Sequence, residues 1–135
     1  MIVQGLLHIN ICVPLSQLAA CRDFYCNVLG LTEGPRPPFT STGFWLYAGD
    51  SPIVHLVASS TPRIELHAGH PSLNHIAFGC LELCSTLQRL KTNGIGYSIS
   101  KVPVLNLTQV NLTDPAGVGI ELSFGSDEET VDESS

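Results

Sequence analysis

Four residues carry the chemistry this sequence has to offer: His8, His55, His75 and Glu121. They are related in pairs. His8-Ile9-Asn10 and His75-Ile76-Ala77 lie 67 residues apart, and His55-Leu56 and Glu121-Leu122 lie 66 apart, so the set reads as two copies of one arrangement. A divalent metal held by imidazoles and one carboxylate, at roughly 2.0–2.2 Å, would satisfy all four groups. The ion stays open among Fe2+, Mn2+, Zn2+, Ni2+ and Co2+. His8, His75 and Glu121 alone make a two-His-one-carboxylate set, the ligand type of non-haem iron oxygenases. His55 has two readings, a ligand or a proton-transfer group, because imidazole titrates near neutral pH; with Glu121 it is the candidate catalytic residue. Ile120, Leu122 and Phe124 bracket Glu121, and an unpaired carboxylate in such a strand costs several kcal/mol unless a cation or donor meets it. The plain alternatives are histidines hydrogen-bonded in a core or pocket, and Glu121 paired with one of the six Lys and Arg.

Hydrophobic period predicts the elements that must hold these residues. Leu7, Ile9, Ile11 and Val13 alternate with His8, Asn10 and Cys12, the pattern of a strand with one apolar and one mixed face. A helix follows from about Ser16, a candidate N-cap, with Leu18, Cys21, Tyr25, Val28 and Leu29 on one stripe and Gly30 as its stop. The Pro-rich stretch 35–38 reads as a loop, and 44–48 and 53–58 as strands around a Gly49-Asp50 turn. The second half repeats the order: strand 73–80, a helix marked by Leu83, Cys84, Leu87 and Leu90 and closed by Gly94, then strands 95–99, 108–112 and 119–124. Parity puts His75 on one face with Ala77 and Gly79, as His8 shares its face with Asn10 and Cys12. That face has the small and polar residues of a cavity lining.

This predicts an α+β fold of two βαβββ modules, residues 5–58 and 73–124, within a single domain over 1–125. The modules form a curved mixed sheet around a cleft with the helices outside. Residues 59–72 are the connector and 126–135 an acidic, Ser-rich disordered tail. In the connector, His67 and His70 read as solvent-exposed or at a pocket rim. Trp45 and Tyr47 share a strand face and either line the pocket or pack the sheet; Arg36 either meets an anionic substrate or is a solvated loop residue.

Composition excludes several classes. The 135 residues are 44% hydrophobic and 13% charged, which suits a packed globule and not a disordered chain. Net charge is -6, but Asp127, Glu128, Glu129, Asp132 and Glu133 lie in the tail, and the rest carries only -1. No basic stripe exists to bind nucleic acid. The five cysteines are odd in number and lack CxxC spacing, so they read as reduced core thiols. Residues 5–21 hold no formal charge, yet His8, Asn10, Pro14, Ser16 and Gln17 break them well short of a membrane span. No basic region precedes the apolar stretch, so no secretory signal is expected and the expected place is the cytoplasm.

The motifs LLHINICV, FYCNVLGL, GFWLYAGDSPIVHLV, LNHIAF and LTDPAGVGIELSF, in this order and spacing, resemble the vicinal oxygen chelate superfamily of glyoxalases, bleomycin-resistance proteins and dioxygenases. The resemblance runs almost the whole chain to Phe124. It implies metal ligands on the first and last strands of each module, at His8, His55, His75 and Glu121. It also implies a small-molecule substrate whose two neighbouring oxygens chelate the metal, which acts as a Lewis acid in a lyase or dioxygenase reaction. The alternative it implies is a metal-free protein that sequesters a ligand, like the bleomycin-resistance members. Two positions depart from the pattern. His55 stands where glyoxalase I has a Glu, which argues against glyoxalase I activity, and Val118 stands where the DPxGN turn has Asn. The connector 59–72 is long enough for the modules to pair within a chain or exchange between chains, and a homodimer is expected.

Overall fold

The computed structural model describes residues 1–2, 4–59, 75–103 and 105–125. Contacts divide the chain into two units, residues 1–70 and 71–135. Residues 60–72 of the connector, with His67 and His70, and the acidic tail lie outside the described residues, whereas Ser59 ends the last strand of unit one.

Unit one runs β1 (Ile9–Pro14), α1 (Leu15–Asp23), a π-helical turn (Phe24–Val28), β2 (Thr32–Gly34), β3 (Gly43–Ala48) and β4 (Ser51–Ser59). Its sheet order is β1-β4-β3-β2, with β1 parallel to β4 and the other pairs antiparallel. Unit two runs β5 (His75–Cys80), α2 (Leu83–Thr92), β6 (Ser98–Val102), β7 (Leu107–Thr113) and β8 (Gly119–Phe124), in the equivalent order β5-β8-β7-β6. Both units are therefore βαβββ modules, and the α+β expectation holds at the level of the module.

Each sheet has one packed face. In unit one α1 packs on β1, β3 and β4, and Leu18, Cys21, Phe24, Tyr25 and Val28 are buried with Ile11, Val13, Leu46, Val54 and Leu56. The π-helical turn adds a residue: the Leu29 N–H donates to the Phe24 carbonyl five residues back, at 3.3 Å. The wider turn brings Phe24 and Tyr25 in together, edge to face at 5.3 Å. Gly30, at φ 78°, ends the helix as expected, and Leu31 N–H caps the Tyr25 carbonyl. In unit two Leu83, Leu87 and Leu90 are buried, as are Val110, Leu112, Ile120, Leu122 and Phe124.

Several local expectations shift. The α1 helix starts at Leu15 after Pro14, with no side-chain cap, so Ser16 is inside it. β1 begins at Ile9, where pairing with Val54 begins, which leaves Leu7 exposed and His8 just ahead of the strand. The strand expected at 95–99 lies at Ser98–Val102, because the Ile95 N–H is spent on the Leu90 carbonyl at the end of α2. The cysteines form no disulfides, but only Cys21 is buried; Cys12 and Cys84 are exposed and Cys26 and Cys80 half-buried. Cys84 misses the buried stripe because Leu83, Leu87 and Leu90 complete it. The turn before β8 does not need Asn at Val118: Asp114, itself buried, accepts from the Ala116 and Val118 N–H groups at 2.8 Å, and its own N–H donates to the Val118 carbonyl. No helix among the described residues is long and apolar enough to cross a membrane.

Candidate functional site

The open face of each sheet, opposite its helix, holds the residues singled out from sequence. In unit one Asn10 pairs with His55 in the β1–β4 ladder, and His55 pairs with Trp45 in the β3–β4 ladder. These residues form one cross-strand row on the open face, because cross-strand partners point to the same side. In unit two Ala77 pairs with Glu121, and Glu121 with Asn111. The two ladders correspond under the sequence repeat: Asn10 opposite His55 becomes Ala77 opposite Glu121. His75 precedes Ala77 by two residues, as His8 precedes Asn10, so both pairs hold equivalent positions.

The geometry around His55 is tight. Its ring is sandwiched between His8 (centroids 3.9 Å apart, planes at 14°) and Trp45 (4.1 Å, 9°). Its Nε2 lies 3.0 Å from the Pro52 carbonyl. A carbonyl only accepts, so Nε2 carries the proton and Nδ1 the lone pair. Burial, then the nearby His8 and with a smaller effect Arg36, push the His55 pKa below its usual value, although the Pro52 carbonyl pulls the other way. The ring is held neutral, in the protonation state that ligates a metal or accepts a proton.

Around this stack lies a cavity of about 580 Å³, within unit one. Phe39 tilts against Trp45 at 6.3 Å, and the Arg36 guanidinium sits 5.0 Å over the Phe39 ring. Arg36 donates to the Ser41 carbonyl at 2.9 Å and to its hydroxyl at 3.0 Å. Trp45 thus lines the cavity, as one of its two readings had it. Tyr47 does not line it: a register shift between Leu46 and Tyr47 turns its hydroxyl to the Pro35 carbonyl. Sequence reasoning missed Phe39 and Ser41, whose only signal was their place just after the Pro-rich loop.

In unit two His75 is exposed and Glu121 half-buried. The residues bracketing Glu121, Ile120, Leu122 and Phe124, are buried on the opposite face. They therefore do not themselves surround the carboxylate, whose half-burial comes from its own face of the sheet. Asn111, the partner of Glu121 on β7, donates to the Ser100 hydroxyl at 3.2 Å. The structure thus brings His8 and His55 into contact and sets His75 and Glu121 on one face of adjacent strands. Within each unit, no group of three or more His, Cys, Asp or Glu able to hold a metal occurs among the described residues.

The donors fit a metal in type, and His55 also in setting. His55 is neutral and ties one ring nitrogen to a carbonyl, the outer hydrogen bond that orients a ligating imidazole. Lone pairs lie in the ring plane, so two rings stacked near-parallel cannot both aim at one ion. His8, exposed and ahead of the ladder, is the ring that must turn for both to ligate.

The chain belongs to the Glyoxalase/Bleomycin resistance protein/Dioxygenase superfamily, which it matches over residues 5–122. Among curated proteins none matches it closely enough in sequence to count as a relative. Solved structures share its fold. One from Bacillus anthracis, assigned to the glyoxalase family, is 23% identical with a TM-score of 0.74, covering 93% of this chain and 98% of that one. The fosfomycin resistance protein FosX from Listeria monocytogenes, solved with Mn(II) and a dihydroxypropylphosphonic acid, is 17% identical, TM-score 0.69, covering 92% and 94%. TnmS3, an antibiotic binding protein from Streptomyces sp. CB03234, is 19% identical, TM-score 0.65, covering 93% and 99%.

Proposed function

We propose that this chain is a metal-dependent enzyme of the superfamily, acting on a small molecule with two neighbouring oxygens. His8, His55, His75 and Glu121 would hold one divalent ion. The observation that carries the reading is the equivalence of the two ladders, which sets both candidate pairs at the same positions of the repeated module. When bound, the ion would act as a Lewis acid that stabilises negative charge developing on a substrate oxygen. The chain's own residues do the rest. His55 Nδ1 ligates or accepts a proton, with Nε2–H anchored on Pro52, and Trp45 and Phe39 form an apolar wall on one side of the cavity. FosX supports the reading as a neighbour in fold that was solved with Mn(II).

Metal analysis tests it. About one divalent ion per chain is expected, and His75→Ala or Glu121→Ala should remove it; full occupancy in both variants would refute the assignment. His55→Ala separates that residue's two roles: loss of the ion makes it a ligand, whereas a retained ion with lost turnover makes it the proton-transfer group.

A second reading, metal-free sequestration of a ligand, is favoured by the aromatic character of the cavity. A thermal midpoint indifferent to chelator and to added Mn2+, Fe2+, Ni2+ or Zn2+ would select it. With either reading we propose a small-molecule partner, a cytoplasmic location and a homodimer.

A further inference from the structure

Arg36 is a half-buried cation in the wall of the cavity, and its surroundings are built to hold it there. Ser41 fixes both terminal nitrogens, Nη1 on its carbonyl and Nη2 on its hydroxyl. The Phe39 ring lies under the guanidinium. Gly43 leaves it room: a Cβ there would come 3.1 Å from Nη2 and would also run into the Leu56 carbonyl. Yet among the described residues no carboxylate neutralises the charge. The ion pair found among the described residues joins Arg22 to Asp23, and the contacts of Arg36 are to neutral oxygens and a ring. Its Nε is buried with no hydrogen-bond partner. Each terminal nitrogen keeps a second N–H beyond its bond to Ser41, and a positioned guanidinium in an apolar wall with such donors left over is a site for an anion.

The remaining lining says what carries that anion. His8, His55 and Trp45 are stacked as near-parallel plates about 4 Å apart, with Phe39 beside them. Leu7, Pro52, Leu56 and Val57 add apolar surface. A cavity of about 580 Å³ suits a ligand of drug-like size. We propose that this cavity selects a flat, conjugated molecule bearing a carboxylate, with Arg36 taking the carboxylate and the aromatic wall taking the ring. The assignment rests on the reading that this face of unit one receives the small molecule, and it names the class of that molecule.

The test is calorimetric titration of the full chain with three probes: 2-naphthoate, the uncharged 2-naphthamide, and cyclohexanecarboxylate, which keeps the charge without the flat ring. Each is run with and without chelator. The naphthoate is expected to bind at least about tenfold tighter than either of the others, in both conditions. Arg36→Ala should erase its preference over the amide, and Trp45→Leu its preference over the cyclohexane acid. If Arg36→Ala lowers the thermal midpoint, Arg36→Gln, which keeps the aliphatic stem and a polar end without the charge, replaces it. Equal binding of naphthoate and naphthamide, or a naphthoate preference that survives both Arg36 variants, overturns the proposal. So does a preference seen only without chelator, which would put the carboxylate on an ion instead of on Arg36. The metal reading stands or falls separately, on the ion content of His75→Ala and Glu121→Ala.

Discussion

Protonating His55 would put a cation against the His8 ring, within reach of the Arg36 charge and partly out of water. The depressed pKa follows from those costs, and it fixes the sign of a pH effect. Because the folded-state pKa lies below the ordinary 6.5, the unfolded chain binds the proton more readily, and stability rises with pH across that window. The penalty sets in as pH falls through about 6.5 and is complete below the folded value. The thermal midpoint should therefore drop between about pH 7 and pH 5, and His55→Gln should flatten that part of the profile. Superimposable slopes for the two proteins would show that the ring titrates normally. The position of this residue was legible in sequence, because parity and the repeat place His8, His55, His75 and Glu121 without knowledge of contacts. Its sandwich with Trp45 was not, since cross-strand partners depend on a register that no single strand encodes. Nor was the partner of Glu121 across the strand, Asn111, for the same reason.

At the scale of the element, α2 shows what a hydrophobic pattern does and does not fix. Leu83, Leu87 and Leu90 are buried, and Cys84, one step around the helix, is exposed. Leu90→Ala should destabilise by about 2–5 kcal/mol, as expected for truncating a fully buried leucine, whereas Cys84→Ser should stay within about 0.5 kcal/mol. Chemical denaturation of the two variants checks both; a large cost at Cys84 would place that thiol in the core after all. Sequence period located this helix and the closing Gly94, at φ 68°, because both signals are local. The three-residue shift of β6 was not local: the Ile95 N–H closes the helix, so the chain cannot begin pairing there. The π-helical turn after α1 also lay beyond reach, since it answers to packing Phe24 and Tyr25 together and to no motif in the residues that form it.

For the whole molecule, duplication makes the metal reading unusually testable, because that reading takes different donors from equivalent positions of the two units. Unit one offers His8 and His55, and unit two His75 and Glu121. If all four serve one ion, a substitution in either unit removes that ion, and a second substitution in the other unit has nothing left to remove. His8→Ala and Glu121→Ala should then be strongly non-additive, the double variant resembling each single one in ion content and in the midpoint gained on adding metal. Independent binding in each unit predicts the contrary, a partial loss from each single change and a sum in the double. Measuring the metal-induced rise in thermal midpoint for the four proteins of this cycle decides between them. Additive losses would mean that the repeat preserved the positions of the side chains without joining them into one centre.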